Sequence, residues 1–412
     1  RMGEITGISA KTIHRMLGLG IGDTNTQDLN ELNGEILIVD EMSMVDMFLF
    51  KQLLASIHDT RHIVFVGDKD QLPSVGPGQV FHDLLEFADL PRIELKKIHR
   101  QAADSTIIPL AHDIREGKIP SDLTVRMTDR SFIACHSRQV PGVVKQIIEM
   151  SQKRGYDAND LQILAPMYRG AAGVDRLNDL SQAVYNPAAA NKQEIEFRGQ
   201  VFRVGDKVLQ LVNSPENNVF NGDIGRITAI ENGNNKGKKN ATMIIDFDGN
   251  EVNYGRLEWS QIRLAYSISI HKSQGSQFKM VILPLVHEFG RMLQRNLLYT
   301  AVTRAADKLI MVGETYAFVT AINSQSVNRQ TSLVKRLTDT WKHHGKLKSP
   351  LEQGTGSQFE PDNIKEHTSA QDVSDDQLSQ TKQTILTPAL IKSGEIDPMI
   401  GMEGLRPADF KK

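Results

Sequence analysis

The 412 residues carry 48 Lys and Arg against 50 Asp and Glu, a net charge of -2, so no bulk positive field draws nucleic acid to the chain. Any such binding must come from a local groove. With 40% hydrophobic and 24% charged residues the chain can fill two or three ordinary domains, and no apolar run reaches the roughly 18 residues of a membrane span. The single cysteine, Cys135, excludes a disulfide framework and a cysteine-rich zinc site, and a buried thiol in a cytoplasmic protein is the expectation.

The chain opens on Arg1 and runs into Met2-Gly3-Glu4, which reads as helix interior, so N-terminal truncation is expected. The phosphate-cradling pattern G-x-x-x-x-G-K-[ST] is supplied by neither residues 18–23 nor residues 233–239. Residues 35–39 read as a short buried strand, 45–57 as an amphipathic helix and 61–66 as the next strand. Strands of a second sheet are expected at 161–165, 280–285 and 308–312, with a helix over 296–306 leading into the last. Strands alternating with helices in this way build parallel sheets covered on both faces.

Residues 194–262 differ in kind. The runs 201–211, 223–230, 242–248 and 251–254 are rich in β formers, and Asn221-Gly222, Asn232-Gly233 and Asp248-Gly249 mark tight turns, the pattern of a small inserted β-barrel. From residue 346 the chain turns polar, as a disordered linker would, before apolar residues return at 385–410, where a frayed end or a short docking peptide for a protein partner is expected.

Chemistry concentrates where strands end. The first strand delivers Asp40 and Glu41 to its carboxyl end, where one acid can hold a hydrated Mg2+ and the other can orient or deprotonate an attacking water; the plainer reading is an Asp-Glu pair that caps the following helix. The second strand runs into Gly67-Asp68-Lys69-Asp70-Gln71-Leu72-Pro73-Ser74-Val75-Gly76-Pro77-Gly78, a loop in which the Gln71 amide is suited to sensing a terminal phosphate.

Together, Val39-Asp40-Glu41 and Gly67-Asp-x-x-Gln71-Leu-Pro-Ser-Val75 resemble motifs two and three of superfamily-one helicases, the second being close to a signature of the RecD-like group. Further segments follow in the family's order: Lys11-Thr12-Ile13-His14-Arg15-Met16-Leu17 after motif one-a, Ile98-His99-Arg100-Gln101 as motif four, and Leu164-Ala165-Pro166-Met167-Tyr168-Arg169-Gly170 near the DNA track. Tyr266 to Ser276, including His271-Lys272-Ser273-Gln274-Gly275, is similar to motif five, and Tyr299-Thr300-Ala301-Val302-Thr303-Arg304-Ala305 to motif six. The resemblance implies an α/β fold of two RecA-like parallel-sheet lobes, the first incomplete, with an inserted SH3-like barrel and a disordered C-terminal tail.

It also implies boundaries: residues 1–97 as a partial first lobe, 98–193 and 263–345 as the second, 194–262 as the barrel and 346–412 as linker and tail. ATP with Mg2+ would lie among Asp40, Glu41, Gln71, Arg100, Gly275 and Arg304, with Asp40 holding the metal through water, Glu41 activating water and the two arginines reaching the transferred phosphate. Arg304 also reads as a helix-face salt bridge, and the Ile-His before Arg100 departs from the aromatic-Arg pairing of the family. Single-stranded DNA would run over Thr12, His14, Pro73, Ser74, Tyr168, Arg169, His271, Lys272, Ser273 and Gln274, although Tyr168 reads equally as a buried ring.

Residues 18–34 lie where the family places its strand-separating wedge, and Lys236, Lys238 and Lys239 read as an ordinary charged hairpin tip. The implied activity is 5′ to 3′ unwinding at single-strand/duplex junctions in DNA repair or recombination, by a monomer without membrane association. Without the phosphate loop, little or no ATP hydrolysis is expected from these residues alone. Two other readings stay open: a non-enzymatic fragment that binds single strands, and the helicase part of a conjugative relaxase.

Overall fold

The structure, a computed structural model, describes residues 7, 10–19, 29–95, 105–231, 241–325 and 329–344, and the architecture is that of those residues. The chain enters through α1 (Ile13–Leu17), capped at its start by the Thr12 hydroxyl, which accepts from the Arg15 N–H at 3.3 Å. There follow β1 (Leu32–Asn33), β2 (Ile36–Val39), α2 (Met47–Ser56), β3 (Ile57–Asp59), β4 (His62–Phe65) and α3 (Val80–Glu86). β2 pairs in parallel with β4, and β1 with β3. The expected strand at 35–39 forms but is not buried: Ile36 is 60% and Ile38 53% exposed, and only Val39 is enclosed. An apolar run is buried on both faces only when a second layer covers it, and among the described residues no layer covers this face. On the other side Val39, Met42, Val45, Phe50 and Leu53 close a core.

The helix expected from residue 45 starts at Met47, because the Asp46 carboxylate accepts from the Leu49 N–H at 2.8 Å. A cap of this kind stabilises by about 1 kcal/mol. Residues Met42–Met44 form a separate 3-10 turn.

The second lobe contains α4 (Ile107–Glu116), β5 (Arg130–Ala134), α5 (Val140–Lys153), β6 (Leu161–Ala165), α6 (Val174–Tyr185), β14 (Ser267–Ser269), β15 (Phe278–Leu285), α7 (Arg295–Val302), β16 (Ala305–Gly313) and α8 (Thr315–Asn323); the seven strands between α6 and β14 belong to the insertion. Its parallel sheet has the order β14-β6-β15-β16-β5. The expected helix at 296–306 stops at Val302, since Ala305 is already paired with Phe278 in the sheet. Cys135 is buried in this lobe's core, and burial pushes its thiol pKa up to about 12, so it is an inert hydrophobe.

In the insertion, β7 (Glu194–Phe197) and β8 (Gln200–Arg203) form a hairpin, while β9 (Lys207–Gln210), β10 (Ile224–Glu231), β11 (Thr242–Phe247), β12 (Asn250–Gly255) and β13 (Ile262–Leu264) form an antiparallel sheet ordered β12-β11-β10-β9-β13. The run 201–211 divides at Gly205, whose φ of 94° breaks the strand. Asp248 and Gly249, at φ 51° and 90°, make the hairpin turn that their sequence announces. Val208, Ile227, Met243, Ile245, Tyr254 and Trp259 fill a core of the insertion's own.

The insertion is rooted in the second lobe by buried polar contacts. The Asp206 carboxylate accepts from Gln182 at 2.6 Å, Asn186 at 2.7 Å and the Tyr266 hydroxyl at 2.9 Å. Beside it the Lys207 ammonium donates to the Ala158 carbonyl at 2.8 Å and to Gln162 Oε1 at 2.9 Å.

After α8 the chain returns to the first lobe as α9 (Leu333–His344). Leu333 and Leu337 pack on the first core, and Trp341 meets Phe87 edge to face at 5.9 Å. The expected polar tail from residue 346 lies outside the described residues. Among those residues no helix is long and apolar enough to cross a membrane.

Candidate nucleotide and nucleic-acid site

At the carboxyl end of β2 the exposed Asp40 side chain accepts from the Glu41 N–H at 2.8 Å, and Glu41 itself is left-handed, with φ 54°. A non-glycine residue in that region costs about 1–3 kcal/mol and persists where surrounding bonds over-determine it. Here Met44 N–H donates to the Glu41 carbonyl at 2.9 Å, and Met42 N–H to the Val66 carbonyl at 2.9 Å. The two strand ends are thereby sewn together, and a Cβ on Gly67 would lie 3.2 Å from Met42 N. Asp40 and Glu41 thus sit directly beside the exit of β4.

The loop leaving β4, residues 67–79, reaches the second lobe. Gln71, 6% exposed, donates to Asp68 Oδ2 at 3.3 Å and accepts from Arg304 Nη2 at 3.2 Å. The Tyr299 hydroxyl donates to the same Asp68 oxygen at 2.9 Å, and burial together with that carboxylate raises its pKa well above the usual phenol value. Leu72 is held on both sides: its N–H donates to Thr300 Oγ1 at 2.9 Å, and its carbonyl accepts from Gln274 Nε2 at 2.8 Å. Arg304 also donates to the Ser276 carbonyl at 3.0 Å and the Thr300 carbonyl at 3.2 Å. It stands not in the expected helix at 296–306 but in the link between α7 and β16, 2% exposed. Gly275 is exposed at φ 75°. Arg100 lies outside the described residues, as do Lys236, Lys238, Lys239 and residues 20–28 of the expected wedge.

Of the residues expected on a DNA track, Thr12 and His14 are exposed on α1, with the Thr12 hydroxyl engaged as a cap. Arg15 beside them donates to Asn218 Oδ1 at 2.6 Å and lies over the Phe220 ring at 5.8 Å, tying α1 to the insertion. Lys272 donates to Asn221 Oδ1 of the same insertion loop at 2.6 Å. Burial lowers the pKa of His271, which therefore favours its neutral form, and also that of Lys272.

Three residues of the expected track turn inward in the structure. Ser273 is fully buried and donates to the Ile270 carbonyl, because the 3-10 turn at Ile270–Ser273 folds its hydroxyl inward. Ser74 is buried as well, its hydroxyl donating to the Gly76 carbonyl at 3.3 Å. Gln274 faces the other lobe through Leu72. Tyr168 is half-buried with the Arg263 guanidinium 4.7 Å above its ring, so one stacking face is taken; Arg169 is exposed and Pro73 half-buried. Neither Arg263 nor the asparagines that hold Arg15 and Lys272 carried any sequence signal of their role, since each acts across a long stretch of chain.

Residues 1–138 match the family described as AAA domain, 177–247 the ATP-dependent RecD-like DNA helicase SH3 domain, and 264–312 the UvrD-like helicase C-terminal domain. An ATP-dependent RecD2 DNA helicase of Deinococcus radiodurans is 34% identical over 339 residues, spanning 82% of this chain and 44% of that protein. The RecBCD enzyme subunit RecD of Mycolicibacterium smegmatis is 31% identical over 352 residues, spanning 81% and 60%. The chain therefore spans about half the length of the curated relatives it matches. A solved Bacteroides Pif1 helicase, in complex with ADP-AlF3 and ssDNA, matches at 20% identity and TM-score 0.44, over 81% of this chain and 84% of that one. The SH3 match falls on the antiparallel insertion and the C-terminal match on the parallel sheet flanking Gln274 and Arg304, and in both parts the chain is similar to RecD-like helicases.

Proposed function

We propose that these residues form most of the core of an ATP-driven DNA motor that moves 5′ to 3′ on single strands and opens single-strand/duplex junctions in repair or recombination. The observation that carries this reading is the buried Gln71–Arg304 contact, which joins the loop after β4 to the link before β16. An arginine held in the second lobe against an amide of the first is placed to respond to a nucleotide between them.

The donor set suits ATP with Mg2+. Asp40 is an exposed carboxylate at a strand's carboxyl end, the hard oxygen ligand that would hold the ion through water. When bound, the ion supplies neutralisation of phosphate charge. Glu41, next to Asp40 in a left-handed turn, would orient and deprotonate the attacking water. Gln71 would register the terminal phosphate. Arg304 would exchange its amide acceptor for developing phosphate charge, a role worth about 10³ to 10⁵ in rate in related systems. Closure of the lobes on nucleotide and reopening after hydrolysis would advance DNA held by His271, Lys272 and the exposed end of α1. Lacking the glycine-lysine phosphate loop, the 412 residues alone are expected to hydrolyse ATP negligibly.

The test is DNA-stimulated ATP hydrolysis by the chain fused in register to the phosphate-loop segment of a RecD-like relative. Glu41→Gln and Arg304→Ala should each lower turnover by about 10³ or more while single-strand binding persists. Unchanged turnover in either variant removes that residue's role.

A further inference from the structure

The loop at residues 67–79 is gripped at two places by chain that follows or belongs to the second lobe. One grip is the set Gln274, Tyr299, Thr300 and Arg304 already described. The other is Arg329, which lies between α8 and α9. Its Nη1 donates to the carbonyls of Gly76 and Gly78, each at 2.6 Å, and its Nη2 to the carbonyl of Ser74 at 2.7 Å. Its own N–H donates to Gln79 Oε1 at 3.2 Å.

A guanidinium is a planar fork of donors with no acceptor, always charged, and its bonds to carbonyls are stronger than neutral ones. One such group satisfies three carbonyls of a loop that has no strand or helix partner for them. Between Gly76 and Gly78, the Pro77 carbonyl accepts from Met47 N–H at 3.0 Å at the start of α2. The distal half of the loop, with glycines at 76 and 78, would otherwise be the most pliable part of the region. Only Pro73 separates Ser74 from Leu72, and its ring fixes φ. A restraint on the Ser74 carbonyl is thus passed along a stiff residue to Leu72, whose N–H and carbonyl are both bound by the second lobe, and to Gln71 beside it.

We propose that Arg329 is a positioning residue: by gathering three carbonyls of this loop it sets Gln71 against Arg304. Any consequence for ATP turnover rests on the motor reading above, whereas the placement of Gln71 does not. The three hydrophobic contacts of α9, through Leu333, Leu337 and Trp341, are separate from Arg329 and hold that helix in its absence.

Hydrogen–deuterium exchange of the 412-residue chain tests this without nucleotide. In Arg329→Ala, the amides of Ser74, Val75, Gly76 and Gly78 and also those of Gln71 and Leu72 should exchange at least about tenfold faster, while α2 and β15 keep their rates. Arg329→Lys should be intermediate, because an ammonium lacks the planar fork. Acceleration that stops at Ser74 overturns the proposal, and so does a lysine variant that matches wild type. Uniform acceleration of the first lobe makes Arg329 a fold anchor and overturns it too. A localised effect with undiminished ATP turnover in the fused protein counts against the motor reading and leaves the positioning intact.

Discussion

Arg304 Nη2 donates to Gln71 Oε1 at 3.2 Å although the residues are 233 positions apart, and both are buried. Neither side chain has room to turn to solvent, so removing either leaves the other short of a partner. Such pairs show non-additive stability effects of about 0.5–3 kcal/mol. A double-mutant cycle of Gln71→Ala and Arg304→Ala, read by urea unfolding, should give a coupling in that range. Strict additivity would mean that the contact contributes nothing to joining the lobes.

Gly76 faces the carboxylate that caps α2. A Cβ there would lie 1.9 Å from Asp46 Oδ2, so Gly76→Ala must displace either the loop or the cap. Loss of the cap alone costs about 1 kcal/mol, with loop strain adding to it. Chemical denaturation should show Gly76→Ala less stable by about 1–3 kcal/mol. A neutral substitution would show that loop and helix start move apart freely.

Lys272 is partly buried yet keeps its ammonium at the surface, held by Asn221. A cation so fixed is suited to contacting phosphate without reading bases. Lys272→Ala should weaken binding of oligothymidylate roughly threefold to tenfold and reduce the slope of log affinity against log salt by about 0.7. Fluorescence anisotropy at several salt concentrations reads both, and an unaltered slope would take Lys272 off the track.

The root of the insertion carries a pH signature. Burial, more than its neighbours, pushes the Lys207 pKa down to about 8 from an ordinary 10.5, with Asp157 opposing and Arg226 reinforcing the shift. Because the folded form releases this proton first, the unfolded chain binds more protons between the two values, and stability contributed by this residue rises with pH across that window. Below pH 8 the desolvation penalty is fully present. Relative to Lys207→Met, the natural chain should gain about 2–3 kcal/mol from pH 7.5 to 10.5 in urea unfolding. A difference that is flat or falls with pH would mean that the ammonium stays charged in the fold.

Much of the fold was legible locally. Alternation with Asp248-Gly249 located the β11–β12 hairpin, because turn chemistry and a period of two are set by neighbouring residues. Val39-Asp40-Glu41 and the loop through Gln71 announced themselves as polar groups at strand ends for the same reason. Between 105 and 153 no element was legible in the sequence: Gly117, which closes α4 at φ 72°, and Pro141, which opens α5, are boundary signals, but no chemical motif lies between them to fix the elements. Ser74 and Ser273 looked like donors for DNA, yet a hydroxyl's destination depends on which way a turn folds it.

Strand-end acids and motif order therefore carried the resemblance to RecD-like helicases and the two-lobe plan, and β-rich runs with tight turns carried the inserted barrel, all from residues close in the chain. The meeting of Gln71 with Arg304, the cover that Arg263 places on Tyr168 and the three carbonyls gathered by Arg329 from some 250 positions away depend on packing. A side chain's own preferences say what it can bond. Which partner it finds is settled by how whole lobes come together, and that information is spread over the entire chain.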